Sequence, residues 1–220
     1  MPKKYELMLN DTLKVGGQTL YRIKALIDIT SNPLIHVTKG DFGGYIHSEK
    51  ALSHYGTCWV GIDCMVKGNA IVRGNAQLRG KAILDDNAVI EGDSTVGGFA
   101  LVYGNAIVRT QARVGDNASV YEDALIDNRS NVGEEAEIFG KAKILDRATI
   151  KGQAKVFGTA LVASKTIITG NAEVSSGIYT KNELIDKTPD NRKQVNATKK
   201  LEDEIDKELN DLWDRREYKV

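Results

Sequence analysis

Histidine is scarce in this chain and missing from most of it: His36, His47 and His54 are the only three, and none lies beyond residue 54. Imidazole is the side chain best suited to general-base work near neutral pH, so the rest of the chain has no ready base of that kind. It also cannot supply the three imidazoles of a catalytic zinc site. Cysteine is as sparse, with only Cys58 and Cys64. Net charge is lacking too: 30 basic residues offset 30 acidic ones for a formal charge of +0. The electrostatic footprint of a protein that binds nucleic acid directly is therefore absent. The N-terminus, MPKKYELMLN, has no apolar run of signal-peptide length, and nothing later approaches a membrane span. These absences predict a cytoplasmic protein with no membrane partner. No glycine-rich phosphate loop precedes a helix either, since Gly16-Gly17 and Gly43-Gly44 read as turn glycines, and no cofactor is expected.

What is present is a repeat. Twenty six-residue units run without insertion or deletion from Gly56 to Ser175. In each the third residue is small and the fifth aliphatic, as in Gly68-Asn69-Ala70-Ile71-Val72-Arg73 and Gly104-Asn105-Ala106-Ile107-Val108-Arg109. A unit this short cannot bury its own apolar face, so stacking must close the core. Positions three to six alternate small, outward, aliphatic, outward, which is the period of a strand. Gly, Asn and Asp at positions one and two supply a corner. Cys58 and Cys64 both occupy the small inward position, which predicts two buried thiols without disulfide or metal.

This pattern resembles the hexapeptide repeat of left-handed parallel β-helices, in which Val72 followed by Ala76 shows the relation of inward aliphatic to tight corner. The resemblance implies an all-β fold, a left-handed parallel β-helix, with three units per triangular coil of eighteen residues. Twenty units then make about 6.7 coils and a prism roughly 32 Å long at ~4.8 Å per strand. The entry segment, Gly40-Asp41-Phe42-Gly43-Gly44-Tyr45-Ile46 followed by Ala51-Leu52-Ser53-His54-Tyr55-Gly56-Thr57-Cys58-Trp59-Val60, resembles that of a YdcK-like family of bacterial and phage-borne β-helix proteins. Its signature is a Gly-Gly-aromatic turn, then Leu-Ser, then Gly-x-Cys-Trp, and the specific match covers residues 19 to 66. It implies a bacterial host cell and a phage or prophage origin.

The chain divides into an N-terminal β cap over residues 1–55, the coil over 56–175, a linker over 176–191 and an amphipathic helix over 192–218. Residues 4–29 read as a hairpin around Gly16-Gly17 that closes one end of the coil, where unpaired backbone groups would otherwise invite aggregation. In the tail, Val195, Leu201, Ile205, Leu209 and Leu212 recur at helical spacing with Trp213 beside them. Leu201, Ile205, Leu209, Leu212 and Trp213 are the candidate oligomerisation residues, with packing onto the chain's own prism as the other reading.

Because positions eighteen apart stack, the outward residues sort onto three faces. The first carries Ile71, Val89, Ile107 and Leu125 beside a charge ladder of Arg73, Glu91, Arg109 and Asp127. The second carries Met65, Ile83 and Leu101, continued by Tyr103, Tyr121, Phe139 and Phe157. The third, with Trp59, Gln77, Thr95, Arg113, Asn131 and Thr149, is polar and expected to face solvent. The second face makes an apolar surface larger than a soluble monomer leaves open, so the C-terminal helix, a second copy or a foreign protein is expected to cover it. Paired acids such as Asp85-Asp86 and Glu134-Glu135 sit at corners and receive no chemistry.

Acyltransferases of similar fold use a histidine base at a groove between subunits and often extrude a loop from one coil. The unbroken hexads leave no room for such a loop, and the alternative enzyme reading rests on His54 with Asp63 or Asp41 assisting at a subunit interface. The γ-class carbonic anhydrases need coil histidines that are missing, and ice-binding coils need Thr-x-Thr ladders that are missing as well. The sequence therefore favours a non-enzymatic scaffold that binds protein, its own copies or a host target. On this reading it is a phage- or prophage-borne inhibitor of a host protein such as a bacterial defence complex.

Overall fold

The structure, a computed structural model, describes residues 3–32 and 35–187. Each hexad forms a short strand beginning at position four, two residues long as at Ile71–Val72 and Ile107–Val108 and three at Ile167–Thr169, followed by a corner. Fifth-position side chains from Val60 to Ile168 are at most 1% exposed and the small third-position residues are as deeply buried, so the core is a column of alternating large and small groups. Both cysteines are free and buried in that column. The strands stack in parallel with an eighteen-residue offset, as in Ile71↔Val89↔Ile107↔Leu125, and form three sheets. Outward residues donate their N–H to a carbonyl one coil further on, as Ile71 does to Ala88 at 2.9 Å and Arg73 to Ile90 at 3.0 Å. The chain is thus a parallel β-helix, as the hexad period requires.

The corners are built from more than turn propensity. Asp86, Asp116, Glu122 and Glu134, all at hexad position one, hold φ between 53 and 57°. That left-handed conformation costs a residue with a Cβ about 1 kcal/mol. Each carboxylate accepts the N–H of the equivalent corner one coil on, Gly104 (3.0 Å), Glu134 (2.9 Å), Gly140 (2.9 Å) and Gly152 (2.7 Å) respectively. Asparagine amides stack similarly: Asn69 donates to Asn87, Asn87 to Asn105, and Asn105 to Asp123, which ends the run as an acceptor. Corner acids such as Asp86 and Glu134 are therefore rung-to-rung acceptors.

The cap is a hairpin of β1 (Tyr5–Val15) and β2 (Gln18–Ala25), turned at Gly16-Gly17, where φ is 56 and 79°. A second small hairpin, β3 (Ile29–Asn32) with β4 (Ile35–Val37), follows. Then comes β5 (Phe42–Ile46), antiparallel to β2 but parallel to Met65–Val66. The cap thereby prolongs one face of the prism into a ten-stranded sheet. Gly43-Gly44-Tyr45, read from sequence as a turn, is strand. The two glycines' lack of a Cβ serves close approach, because a Cβ on Gly43 would lie 2.7 Å from the Val60 carbonyl and one on Gly44 would overlap the Cys64 and Gly61 carbonyls. Gln18 pins the hairpin tip by accepting from Gly68 N–H (2.9 Å) and donating to Gly68 O (3.1 Å).

The coil also outlasts the hexads. Ile178–Tyr179 pairs with Leu161–Val162, and Leu184–Asp186 with Ile167–Thr169, at an offset of seventeen rather than eighteen. The missing residue breaks the sequence period but not the ladder, so the first part of the segment read as linker is strand and corner. The helix expected over 192–218, with Leu201, Ile205, Leu209, Leu212 and Trp213, lies outside the described residues.

Candidate protein-binding faces

The cap-bearing sheet carries the aromatic ladder. Tyr103 stacks on Tyr121 (centroids 4.9 Å, 5° between planes), Tyr121 on Phe139 (4.9 Å, 2°) and Phe139 on Phe157 (4.8 Å, 4°). Those separations are the spacing of the strands themselves, so the backbone ladder imposes the stack. The rings cover one another and are half-buried rather than open, which leaves their edges as the outward surface. Ring-on-ring contact contributes about 0.5–1.5 kcal/mol per pair beyond area burial, so the ladder also stabilises its coils.

Around the ladder the surface is mixed. Tyr121 Oη donates to Glu137 (3.2 Å), and burial together with the Glu137 charge pushes its phenol up to about 12. Glu137 is paired in turn with Lys155 at 3.0 Å. Toward the cap, position four reads Leu101, Ile83, Met65 and then Tyr45, which is in register with Met65. Leu101 is 38% exposed and Phe99, beside it in the chain, 61%, whereas Met65 and Ile83 are half-buried. Beyond Tyr45 lies a polar clamp. The Arg22 guanidinium sits 4.3 Å from the Tyr45 ring centroid, Arg22 Nε donates to Asp11 (2.8 Å), and Tyr45 Oη donates to the same carboxylate (2.8 Å). Sequence reasoning missed this trio because antiparallel register across a bulged hairpin is not written in a repeat.

On the aliphatic face Ile71, Val89, Ile107 and Leu125 form one half-buried row. The expected charge ladder resolves into pairs: Arg73 Nε to Glu91 (2.6 Å) and Arg109 Nε to Asp127 (2.7 Å). Burial alone would raise the Asp127 carboxyl, but hydrogen bonds from Thr110 and Arg109 outweigh it and hold the group below the usual range. The polar face is less uniform than expected, since Trp59 (5%) and Gln77 (3%) are buried. Gln77 donates to the Thr57 (2.7 Å) and Asn75 (3.1 Å) carbonyls, and Trp59 belongs to the same core cluster as Ile29 and Val37. The depression on this face is lined by Asp93, Thr95, Gln111, Arg113, Arg129 and Asn131, with Arg129 Nε already bound to Gln111 (2.8 Å).

The histidine of the enzyme reading serves the cap. His54 Nδ1 accepts the Lys4 backbone N–H (3.2 Å), its ring stacks on Tyr5 at 4.4 Å, and Nε2 is enclosed without a hydrogen-bond partner. Tyr5 Oη donates to the Leu52 carbonyl (2.7 Å). Asp41 accepts from Thr38 N–H (2.7 Å), and Asp63 is exposed at a corner. A base needs an accessible nitrogen, and here one nitrogen is engaged while the other is enclosed. Among the described residues no group of three His, Cys, Asp or Glu side chains could hold a metal, and no helix is long and apolar enough to cross a membrane.

Burial depresses both His47 and His54, with Lys3 and Lys4 adding to the effect at His54 and Glu49 opposing it. A group whose folded-state pKa is lowered contributes stability above its unfolded value, about 6.5 for histidine, and loses it as pH falls below that. Amide hydrogen exchange of residues 4–25 should therefore be slow and constant above about pH 6.5 and speed up on acidification, after correction for intrinsic rates. The His47→Asn/His54→Asn chain should lose that dependence. A wild-type cap insensitive to pH down to 5 would contradict the assignment.

Comparison with known proteins adds no identity: no family model matches the chain, and neither does any curated protein.

Proposed function

We propose that this protein is a non-enzymatic β-helix scaffold that binds protein through its outer faces. The observation that carries the reading is the rigid ladder of Tyr103, Tyr121, Phe139 and Phe157, held in line by the strand spacing and bordered by Leu101 and Phe99. Such a surface offers aromatic edges with little conformational entropy left to lose, the property that makes aromatic residues dominant at protein interfaces. The row Ile71, Val89, Ile107 and Leu125 offers a second apolar strip, and either a second copy or a foreign protein could seat there. The entry-segment resemblance over residues 19–66 supports a left-handed coil and a phage- or prophage-borne origin. A host protein, such as a bacterial defence complex inhibited by occupation of its surface, is then the partner.

The test is quantitative capture from bacterial lysate by the wild-type chain and by Tyr121→Ser/Phe139→Ser. The double variant removes three stacked contacts and should lose about 1.5–4.5 kcal/mol of stability while keeping its circular dichroism. It should also lose at least tenfold in recovery of any protein specific to the wild type, or of a differently tagged second copy. Equal recovery by the folded variant would remove the aromatic face from the interface.

A further inference from the structure

Lys4 is 1% exposed, an unusual place for an amine. Its Nζ lies 2.9 Å from the Cys58 carbonyl, 3.4 Å from the Gly56 carbonyl and 3.2 Å from Cys58 Sγ. Its partners are thus two carbonyls and a sulfur, not a carboxylate. A neutral amine has two N–H groups, enough for the two carbonyls, and one lone pair besides, within the 3.2 Å contact of Nζ with the sulfur. Burial favours that state by lowering the Lys4 pKa, and raises the thiol of Cys58 against the smaller opposing effect of Lys4. Cys58 is 0% exposed, and Sγ is 3.4 Å from the Ser53 carbonyl, 3.7 Å from that of Tyr55 and 3.8 Å from that of Val72, with Tyr55 itself 66% exposed. Cys64 is an internal comparison. It is equally buried and its thiol is pushed up to about 12, but its Sγ faces the Gly80 carbonyl at 3.5 Å instead of an amine.

We propose that Lys4 and Cys58 form an oxidative modification site, at which hydrogen peroxide joins Nζ to Sγ in a sulfenamide. In the first step the sulfur attacks one peroxide oxygen, forming S–O and breaking O–O. The leaving hydroxide takes the thiol proton as water, sulfur is oxidised by two electrons and the peroxide is reduced. In the second step the Lys4 lone pair attacks the sulfenic sulfur, forming N–S and breaking S–O, and the departing hydroxide takes a proton from nitrogen as a second water. The product is lighter than the reduced pair by two hydrogens. It ties the start of the cap hairpin to the first hexad across 54 residues of chain, so it restrains the unfolded cap as a disulfide would.

The experiment exposes the folded full-length chain to hydrogen peroxide, alkylates remaining thiols, digests and sequences the peptides by mass spectrometry. The expected result is a Lys4 peptide joined to a Cys58 peptide with two hydrogens lost, separable by a thiol reductant, with Cys64 recovered alkylated. Lys4→Arg and Lys4→Met should each abolish the cross-link. Cys58 recovered alkylated, or oxidised to sulfinic acid beside a free Lys4, would overturn the proposal.

Discussion

Replacing Gly44 with alanine is expected to detach the cap from the coil. The glycine lies in β5, the strand that joins the hairpin to the first parallel rung, and a Cβ there would overlap the Cys64 and Gly61 carbonyl oxygens. Backbone atoms of two hydrogen-bonded turns cannot retreat as a side-chain tip can, so the strain falls on the pairing of Tyr45 with Met65 and of Ile46 with Val66. Overpacking of this kind costs about 3 kcal/mol, enough to free the cap locally before the coil melts. Limited trypsin digestion should then cut at Arg22 and Lys24 under conditions in which the wild type is spared. Gly115→Ala is the control: its Cβ would meet nothing within 4 Å and its φ lies outside the left-handed region. It should be neutral within about 0.5 kcal/mol. Equal behaviour of the two variants would refute the close-approach account of the glycine pair.

Ile126→Ala should be a severely damaging truncation in mid-coil, and Leu125→Ala beside it a mild one. Ile126 is 0% exposed inside the prism, whereas Leu125 points outward and is half-buried. Truncating a fully buried isoleucine costs about 2–5 kcal/mol because the cavity adds to the lost transfer energy. In a solenoid each coil is held by its two neighbours, so this loss is not confined to one rung. Leu125→Ala should cost about 1 kcal/mol or less. Urea melts with unchanged slope and a midpoint much lower for Ile126→Ala would bear this out. Equal shifts would mean that the in-out alternation is wrong.

The coil was legible because its rule is local and repeated. A small residue at three, an aliphatic at five and an eighteen-residue return fix strand, corner and register together, and Val72, Ile90 and Val108 sit where that rule puts them. The stacking of Tyr103, Tyr121, Phe139 and Phe157 followed from the same return, but its depth of burial did not, since mutual cover depends on ring orientation. The ends were harder to read. β5 enters the coil with a twenty-residue return at Tyr45↔Met65, and the last strands leave with seventeen, so a search for period six stops short at both. Lys4 and His54 carried no sequence signal of contact, because the pairing of a cap with a coil end depends on three-dimensional closure rather than on spacing. The corner acids Asp86 and Glu134 were visible as a column eighteen residues above Gly104 and Gly152, and that column could have identified them as acceptors for left-handed corners.

Face-resolved photo-crosslinking in bacterial cells tests the central claim most directly. A photoreactive phenylalanine analogue placed at Tyr121 reports on the aromatic ladder, and the same group at Asn131 reports on the polar face of the same coils. The scaffold account predicts a discrete protein adduct, with a second copy or a host protein, from position 121 and little or none from 131. Adducts of equal yield from both positions, or from 131 alone, would contradict it.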